Sequence, residues 1–299
     1  MIYRVEERWQ GKMLKEYLFS GLSLSRAQVT CLKKKEQGML LNGCHVTVRA
    51  TLSAGDLLEL ALEDESSAEL LLPCEIPLWI LYEDEDLVCV NKPQGMPTHP
   101  SRGHFEDTLA NALAGYYAKK GRPFVFRAVN RLDRDTTGVV LVAKNKRAAA
   151  ALSAQIARRT VEKEYLALLE GTLLQDEGTI DRNIVRVDGS LMLRRTDETD
   201  GERAFTSFRV VERRGEKTLV LATPHTGRTH QLRVHFSYLG HPIFGDSLYG
   251  TADPRIEGQA LHAYSLAFDH PVTGERLQVK APLHEGLLNV LKEYDFEKF

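Results

Sequence analysis

Two acidic residues near the middle of the chain, Asp133 and Asp135, are separated by one residue, and the run continues as Thr136-Thr137-Gly138. Aspartates with this spacing could hydrogen-bond their own backbone in a turn, bind a divalent cation, or act as a nucleophile or an acid–base pair. Five apolar residues follow at 139–143, which predicts that the run opens a buried strand. The spacing alone leaves all three roles open.

A metal-binding role for this run has two precedents. Asp133 and Asp135 fall near the spacing of a calcium-binding loop, but that loop needs a glutamate at its twelfth position, where this chain has Lys144. The run also matches the Asp-x-Asp-x-Thr signature of haloacid-dehalogenase-type phosphatases. In that family the apolar strand precedes the first aspartate, whereas here it follows, and the flanking arginines at 131 and 134 oppose a bound magnesium ion. Calcium is disfavoured, and a magnesium-dependent phosphatase remains a remote alternative.

A second polar cluster spans Thr226 to His235 and alternates arginines with histidines. Leu232 begins an apolar series at helical spacing that ends before Gly240, so the cluster is predicted to lie on a helix. No carboxylate lies within it, and repulsion by the arginines argues against a metal site at the histidines. A helix that buries leucines and presents Arg228 and Arg233 is suited to hold an anion or a carboxylate.

The net charge of −2 conceals an uneven distribution along the amino-terminal part of the chain. Residues 1–50 contain nine Lys/Arg and four Glu, whereas residues 51–75 contain seven acidic residues and no Lys or Arg. This order favours a separate basic module followed by a linker, although two stretches of solvated surface explain it equally well. We predict a small domain over 1–62, an acidic linker over 63–77 and a large catalytic domain over 78–299.

The pattern of residues 1–62 indicates a helical unit closed by a small sheet. Met13, Leu14, Tyr17 and Leu18 give one apolar helical face, and Asn42-Gly43 predicts a hairpin. Together with the Leu24-Ser25-Arg26 segment, this arrangement resembles the small RNA-binding module of a ribosomal small-subunit protein. The resemblance implies that three basic residues of one helix contact RNA phosphates, namely Arg26, Lys33 and Lys34. A solvated helix end is the alternative.

Several classes of protein are disfavoured by composition. No apolar run approaches the roughly 20 residues that cross a bilayer, and the first residues lack the apolar stretch of a signal peptide. We therefore expect a cytoplasmic protein with no membrane partner. The cysteines at 31, 44, 74 and 89 are widely spaced, which favours free thiols over disulfides or zinc ligands.

Segments between about Leu78 and Pro282 resemble, in order, the large ribosomal-RNA-type pseudouridine synthase family, in the branch with an Arg-Leu-Asp motif. The matching segments are Val90–Gly95, Arg131–Lys144, Glu162–Ala167, Gly227–His235, His241–Asp246, Leu261–Ala263 and His270–Pro271. The resemblance implies an α+β fold with a mixed, mostly antiparallel central sheet. It also implies an isomerase that breaks the glycosidic bond of a uridine in RNA and rejoins the base through carbon 5, with no cofactor and no metal.

The resemblance assigns roles to individual residues. It implies that Asp133 is the nucleophile and that Arg233 pairs with it, because an adjacent cation keeps a desolvated carboxylate ionised. Tyr165 is expected to stack on the target uracil, with Leu232 as an apolar wall, and its ring could assist removal of the carbon 5 proton. The remaining residues are basic: Arg131 is expected to fill the space left by the flipped base, and Lys163 and Arg228 to contact phosphates.

One residue departs from the family pattern, because this chain has Asn130 where the family usually has histidine. The departure puts in doubt any contact there that depends on protonation, and it weakens the assignment of a specific substrate. Ribosomal RNA is the expected partner of a monomeric enzyme. Transfer RNA is the alternative substrate, and an RNA-binding factor that has lost catalysis is the alternative function.

Overall fold

The computed structural model describes residues 2–22, 24, 29–30, 32–33, 35, 37–61, 71–101, 103–190 and 192–296. The chain divides into two compact units, Met1–Leu70 and Leu71–Phe299. No helix in the described part of the chain has both the length and the apolar character to span a membrane. Arg26 and Lys34, two of the predicted phosphate contacts, lie outside the described residues, whereas Lys33 is described and exposed.

The first unit is built on a four-stranded antiparallel sheet with a helical turn beside it. Its strands are β1 (Ile2–Arg4), β2 (Met39–Leu41), β3 (Cys44–His45) and β4 (Leu57–Leu60), in the order β1-β4-β2-β3. Helix α1 (Leu14–Glu16) continues into a π-helical turn over Tyr17–Gly21. Leu14, Tyr17 and Leu18 are buried as predicted, but Met13 is 45% exposed because the helix begins after it.

The predicted Asn-Gly turn is confirmed. Asn42 and Gly43 have φ angles of 51° and 78°, which a two-residue turn between antiparallel strands requires at both positions. Leu41 and Cys44 are paired across it. The Asn42 side chain also donates to Asp56 and accepts from the backbone of Leu57, so the turn is tied to the start of β4.

The second unit is an α+β body around a nine-stranded mixed sheet. The strands are β5 (Trp79–Glu83), β6 (Leu87–Lys92), β7 (Thr137–Ala143), β8 (Glu162–Glu170), β9 (Glu177–Asp181), β12 (Phe205–Arg214), β13 (Lys217–Pro224), β14 (Leu261–Asp269) and β15 (Arg276–Lys280). Their order is β5-β6-β7-β14-β8-β13-β12-β9, with β15 also paired to β14. Among the strands in the described residues, only β7 and β14 pair in parallel, so the expected mixed, mostly antiparallel sheet is confirmed.

In the part of this unit that the structure describes, four helices and a separate hairpin accompany the sheet. The helices are α2 (Leu109–Lys119), α3 (Lys146–Arg158), α4 (Gln231–Tyr238) and α5 (Glu285–Glu293), and the hairpin consists of β10 (Asn183–Arg186) and β11 (Arg194–Asp197). Thr108 and Asn145 cap the amino ends of α2 and α3 by accepting backbone N–H groups. The largest apolar cluster joins β8 and β13 to α4 and α5, and it contains Leu232.

Gly138 allows the parallel contact between β7 and β14. It has a φ of 109°, and a Cβ atom added there would lie 2.2 Å from the carbonyl oxygen of Ala263 on β14. Both the backbone angle and the close approach therefore require glycine. Gly138 is the second residue of β7, so its contact with β14 fixes where the turn that contains Asp133 joins the sheet.

Candidate active site

Asp133 lies in a turn immediately before β7, in agreement with the prediction that a strand follows the acidic run. The backbone N–H of Thr136 donates to the carbonyl of Asp133 over 3.2 Å and closes the turn. The side chain of Asp133 is 31% exposed. Its carboxylate is therefore held at the edge of a buried sheet and is accessible to solvent.

Two buried polar side chains, one at the end of β6 and one in the loop that follows it, hold this turn in place. Thr98 accepts from the backbone N–H of Leu132 and donates to its carbonyl, over 3.2 and 2.8 Å. The Nζ atom of Lys92 donates to the carbonyls of Pro93, Met96 and Arg134, each over 2.8 Å. Burial lowers the pKa of Lys92 to about 7, and the three carbonyls match the three N–H donors of its protonated form.

Asn130, which stands where the family usually has histidine, hydrogen-bonds to the backbone of β7. Its Nδ2 donates to the carbonyl of Val139 over 3.0 Å, and its Oδ1 accepts from the N–H of Leu141 over 2.8 Å. The side chain thus pairs with β7 as a strand would. Both contacts use a neutral amide, so they do not depend on a proton at residue 130.

Helix α4 brings Arg233 to Asp133, but Arg233 binds more closely to another carboxylate. Its Nη1 lies 3.5 Å from Oδ2 of Asp133, whereas Nε and Nη2 each lie 2.7 Å from an oxygen of Asp246. Asp246 is fully buried and accepts the backbone N–H groups of Leu248 and Tyr249 as well. The expected Asp133–Arg233 contact is therefore present, and Asp246 is what holds the guanidinium.

Sequence reasoning did not single out Asp246. It appears in the resembling segment His241–Asp246, as the last residue after a glycine. The usable signal was that a buried arginine on an apolar helix needs a full carboxylate partner. Asp133 is not that partner, because it makes only the single, longer contact of 3.5 Å with Arg233.

Tyr165 lies on β8 and is partly buried between the apolar clusters on either side of it. Its cross-strand neighbours are Ala222 on β13 and Ala263 on β14, both of which have small side chains. Burial, with a smaller contribution from the charge of Asp133, raises the pKa of Tyr165. The hydroxyl is therefore neutral at ordinary pH, and the ring can present a flat apolar surface beside the carboxylate.

The other predicted residues surround the site at different distances. Leu232 is buried in the main apolar cluster, so it is first of all a core residue. Arg131 is exposed and reaches the Thr229 hydroxyl over 3.5 Å, which links the Asp133 turn to the segment before α4. Arg228 pairs with Glu202 over 3.0 Å. Lys163 shares a face of β8 with Tyr165, and burial lowers its pKa.

The two aspartates of the phosphatase-like signature have different surroundings. Asp133 faces Arg233 and, at 3.9 Å, the Nε2 atom of His230. Asp135 makes two contacts of 2.9 and 3.0 Å with Arg134, its sequence neighbour. Each carboxylate therefore already has a cationic or imidazole neighbour, which is an unfavourable arrangement for a shared divalent ion.

Comparison with known proteins identifies the family. The family described as RNA pseudouridylate synthase matches residues 86–238. A Bacillus subtilis protein named as an uncharacterized RNA pseudouridine synthase, YjbO, is 40% identical over 279 residues, covering 93% of this chain and 98% of the relative. Ribosomal large subunit pseudouridine synthase D of Vibrio cholerae is 36% identical over 290 residues, which cover 91% of this chain and 87% of the relative.

A solved structure supports the same assignment. Human RNA pseudouridylate synthase domain containing 1 superimposes with a TM-score of 0.59 at 31% identity, covering 74% of this chain and 86% of the human chain. The family match over residues 86–238 includes the turn before β7, β8 and α4, on which the candidate site residues lie. The chain belongs to the RNA pseudouridylate synthase family.

Proposed function

We propose that the chain isomerises uridine to pseudouridine in ribosomal RNA with Asp133 as the nucleophile. The observation that carries the proposal is the position of Asp133, an accessible carboxylate that contacts the buried guanidinium of Arg233 and whose charge contributes to the raised pKa of Tyr165. The reaction breaks the bond between the ribose and N1 of the base and forms one to carbon 5. A proton leaves carbon 5 and N1 gains one, so atoms and charge balance without a cofactor.

The surroundings of Asp133 suit it to this task. Arg233 places a positive charge beside the carboxylate of Asp133, and a carboxylate acts as a nucleophile in its ionised form. Its Nη1 contacts Oδ2, and among the described residues none donates a hydrogen bond to Oδ1. Oδ1 therefore keeps its lone pairs available for attack, while Oδ2 holds the carboxylate in place.

Tyr165 and Arg131 supply the contacts that the flipped nucleotide needs. A neutral tyrosine ring stacks on a pyrimidine without a charge penalty, and its hydroxyl lies near the reacting carboxylate. Arg131 is exposed at the rim, where its guanidinium can enter the space that the base has left. Arg228, Lys163 and, in the first unit, Lys33 are proposed phosphate contacts, which add affinity rather than sequence choice.

Ribosomal RNA is proposed as the substrate because the Vibrio cholerae relative and two others are named as ribosomal large subunit pseudouridine synthase D. Transfer RNA is the alternative. The direct test is tritium release from RNA labelled at carbon 5 of uridine, with ribosomal and transfer RNA transcripts compared at equal concentration. Release from ribosomal RNA supports the proposal. Release only from transfer RNA would show that transfer RNA is the substrate. Binding of both RNAs without tritium release would indicate an RNA-binding factor without catalytic activity.

The same assay with a metal chelator added distinguishes the synthase from the magnesium-dependent phosphatase. The synthase is expected to release tritium from a pre-folded transcript with chelator present, and to leave a generic phosphate ester intact. Turnover of that ester, stopped by chelator, would instead identify a magnesium-dependent phosphatase. Mapping pseudouridine in RNA from cells with and without the protein then identifies the modified uridine.

A further inference from the structure

We propose that His230 is a positioning residue for Asp133, held as the neutral Nε2–H form by the Tyr249 hydroxyl. This inference rests on the proposed role of Asp133 as nucleophile. It concerns a hydrogen-bond chain that begins at the β10–β11 hairpin and ends at the catalytic carboxylate.

The backbone at His230 directs its ring toward the catalytic turn. His230 immediately precedes α4 and has a φ of 58°, a left-handed conformation that is uncommon for residues other than glycine. The ring is largely buried, with Nε2 3.9 Å from Oδ2 of Asp133 and Nδ1 2.8 Å from the hydroxyl oxygen of Tyr249. An unfavourable backbone angle retained next to a reactive group indicates a functional constraint.

The hydrogen-bond partners of Tyr249 favour one of the two neutral forms of His230. The backbone N–H of Arg194 donates to the Tyr249 hydroxyl oxygen over 3.0 Å. The hydroxyl hydrogen is then free to point to Nδ1 of His230, 2.8 Å away, with Nδ1 as the acceptor. In this arrangement the ring proton is on Nε2, the nitrogen that faces Asp133.

The charges around His230 favour a neutral ring. Burial lowers the pKa of His230, and the cations Arg233 and Arg194 lower it further, whereas Asp133 and Asp246 oppose them. Arg233 also lies over the Tyr249 ring, 5.1 Å from its centre. The site therefore has one full positive charge at Arg233 and one neutral N–H donor at His230.

Both groups approach the same oxygen of Asp133, and this gives His230 its role. Arg233 alone permits the carboxylate to rotate about its Cβ–Cγ bond, whereas a second donor on Oδ2 restricts that rotation. The distance of 3.9 Å is longer than a hydrogen bond, but such contacts tighten when substrate occupies a site. We infer that the chain Arg194–Tyr249–His230 keeps Oδ1 directed at the nucleotide.

The test combines a spectroscopic readout with kinetics. In full-length protein labelled with ¹⁵N-histidine, the resonances of His230 are assigned by their loss in His230→Asn, a change that tolerates the left-handed backbone. The same measurement is made in Asp133→Asn and in Tyr249→Phe. Tyr82→Phe is the matched control, because it also removes a hydroxyl hydrogen bond, to Asp84 over 2.7 Å, on a distant strand.

We expect a protonated Nε2 and an unprotonated Nδ1 at His230, both in the wild type and in Asp133→Asn. Tyr249→Phe is expected to mix the two ring forms and to lower kcat roughly five- to tenfold, the value of one hydrogen bond, with KM unchanged. Tyr82→Phe is expected to leave both the ring form of His230 and kcat unchanged.

A proton on Nδ1 in the wild type overturns the inference, as does a kcat for Tyr249→Phe equal to that of Tyr82→Phe. The ring form is read independently of turnover, so it stands even if a variant loses stability. Retained activity in Asp133→Asn would refute Asp133 as the nucleophile, whereas the position of the proton on His230 would still be known from the histidine resonances. The two failures are therefore distinguishable.

Discussion

Replacing Asp246 by asparagine removes the negative charge from a buried ion pair while keeping the shape of the side chain. Asp246 is fully buried, and the side chain of Arg233 is 7% exposed. Two hydrogen bonds of 2.7 Å join them. In the variant, the amide nitrogen of asparagine faces one of the arginine N–H groups, so a donor opposes a donor.

The cost follows from this geometry. One charge-assisted hydrogen bond is lost, and the guanidinium keeps its charge in a buried place with only the more distant Asp133 as counter-ion. Removing one partner of a buried ion pair lowers the free energy of unfolding by about 3–5 kcal/mol. For a domain of this size, each kcal/mol shifts the Tm by about 2–4 °C, so the Tm should fall by about 10 °C.

Thermal and urea denaturation of the full-length protein measure this effect. The matched control is Asp181→Asn, because Arg203 and Asp181 also form a bidentate pair, but both side chains are largely exposed. The control is expected to leave the Tm unchanged, since exposed ion pairs contribute little. Equal, small shifts in both variants would refute the reasoning that Asp246 stabilises a buried Arg233.

Three further outcomes are expected. Asn130→Asp places a carboxylate against the carbonyl of Val139 and should lower the free energy of unfolding by about 1–3 kcal/mol in urea titrations; an unchanged value contradicts the strand-mimic role. Burial lowers the pKa of His262 to about 4, so between pH 6.5 and 4 the unfolded chain is protonated at this residue and the folded chain is not. As the pH falls through that range, the free energy of unfolding should decrease by up to about 3 kcal/mol. His262→Gln should reduce this dependence of stability on pH; the same pH dependence in variant and wild type would exclude His262 as its cause. Tyr165→Phe keeps the stacking ring but loses the hydroxyl, so RNA affinity should be retained while tritium release falls by about 10²-fold or more if the hydroxyl assists proton transfer; unchanged release limits Tyr165 to stacking.

Local patterns predicted the elements that carry the site. The apolar residues after Gly138 form β7, and the apolar series from Leu232 lies on α4, because a buried strand and an amphipathic helix each leave a periodic signal. The turn at Asn42 follows from backbone preference alone. The mixed sheet itself was expected from the family resemblance, not from the periodicity.

The contacts that tune the site could not be read from local patterns. Asp246 reaches Arg233 through a loop, and the three carbonyls around Lys92 come from separate segments. Met13 was expected on the buried helical face and is exposed, because the helix starts one residue later. Such arrangements depend on tertiary packing, which places groups together without any fixed spacing in the chain.

The central claim is that Asp133 performs the chemistry, and Asp133→Asn tests it most directly. Tritium release and RNA affinity are measured on the same labelled ribosomal RNA, with Asp135→Asn as the matched control two residues away, where the carboxylate only pairs with Arg134. Asp133→Asn is expected to lower release by at least about a thousandfold with affinity retained, and Asp135→Asn to stay active. Release by Asp133→Asn at the rate of the wild type would contradict the claim.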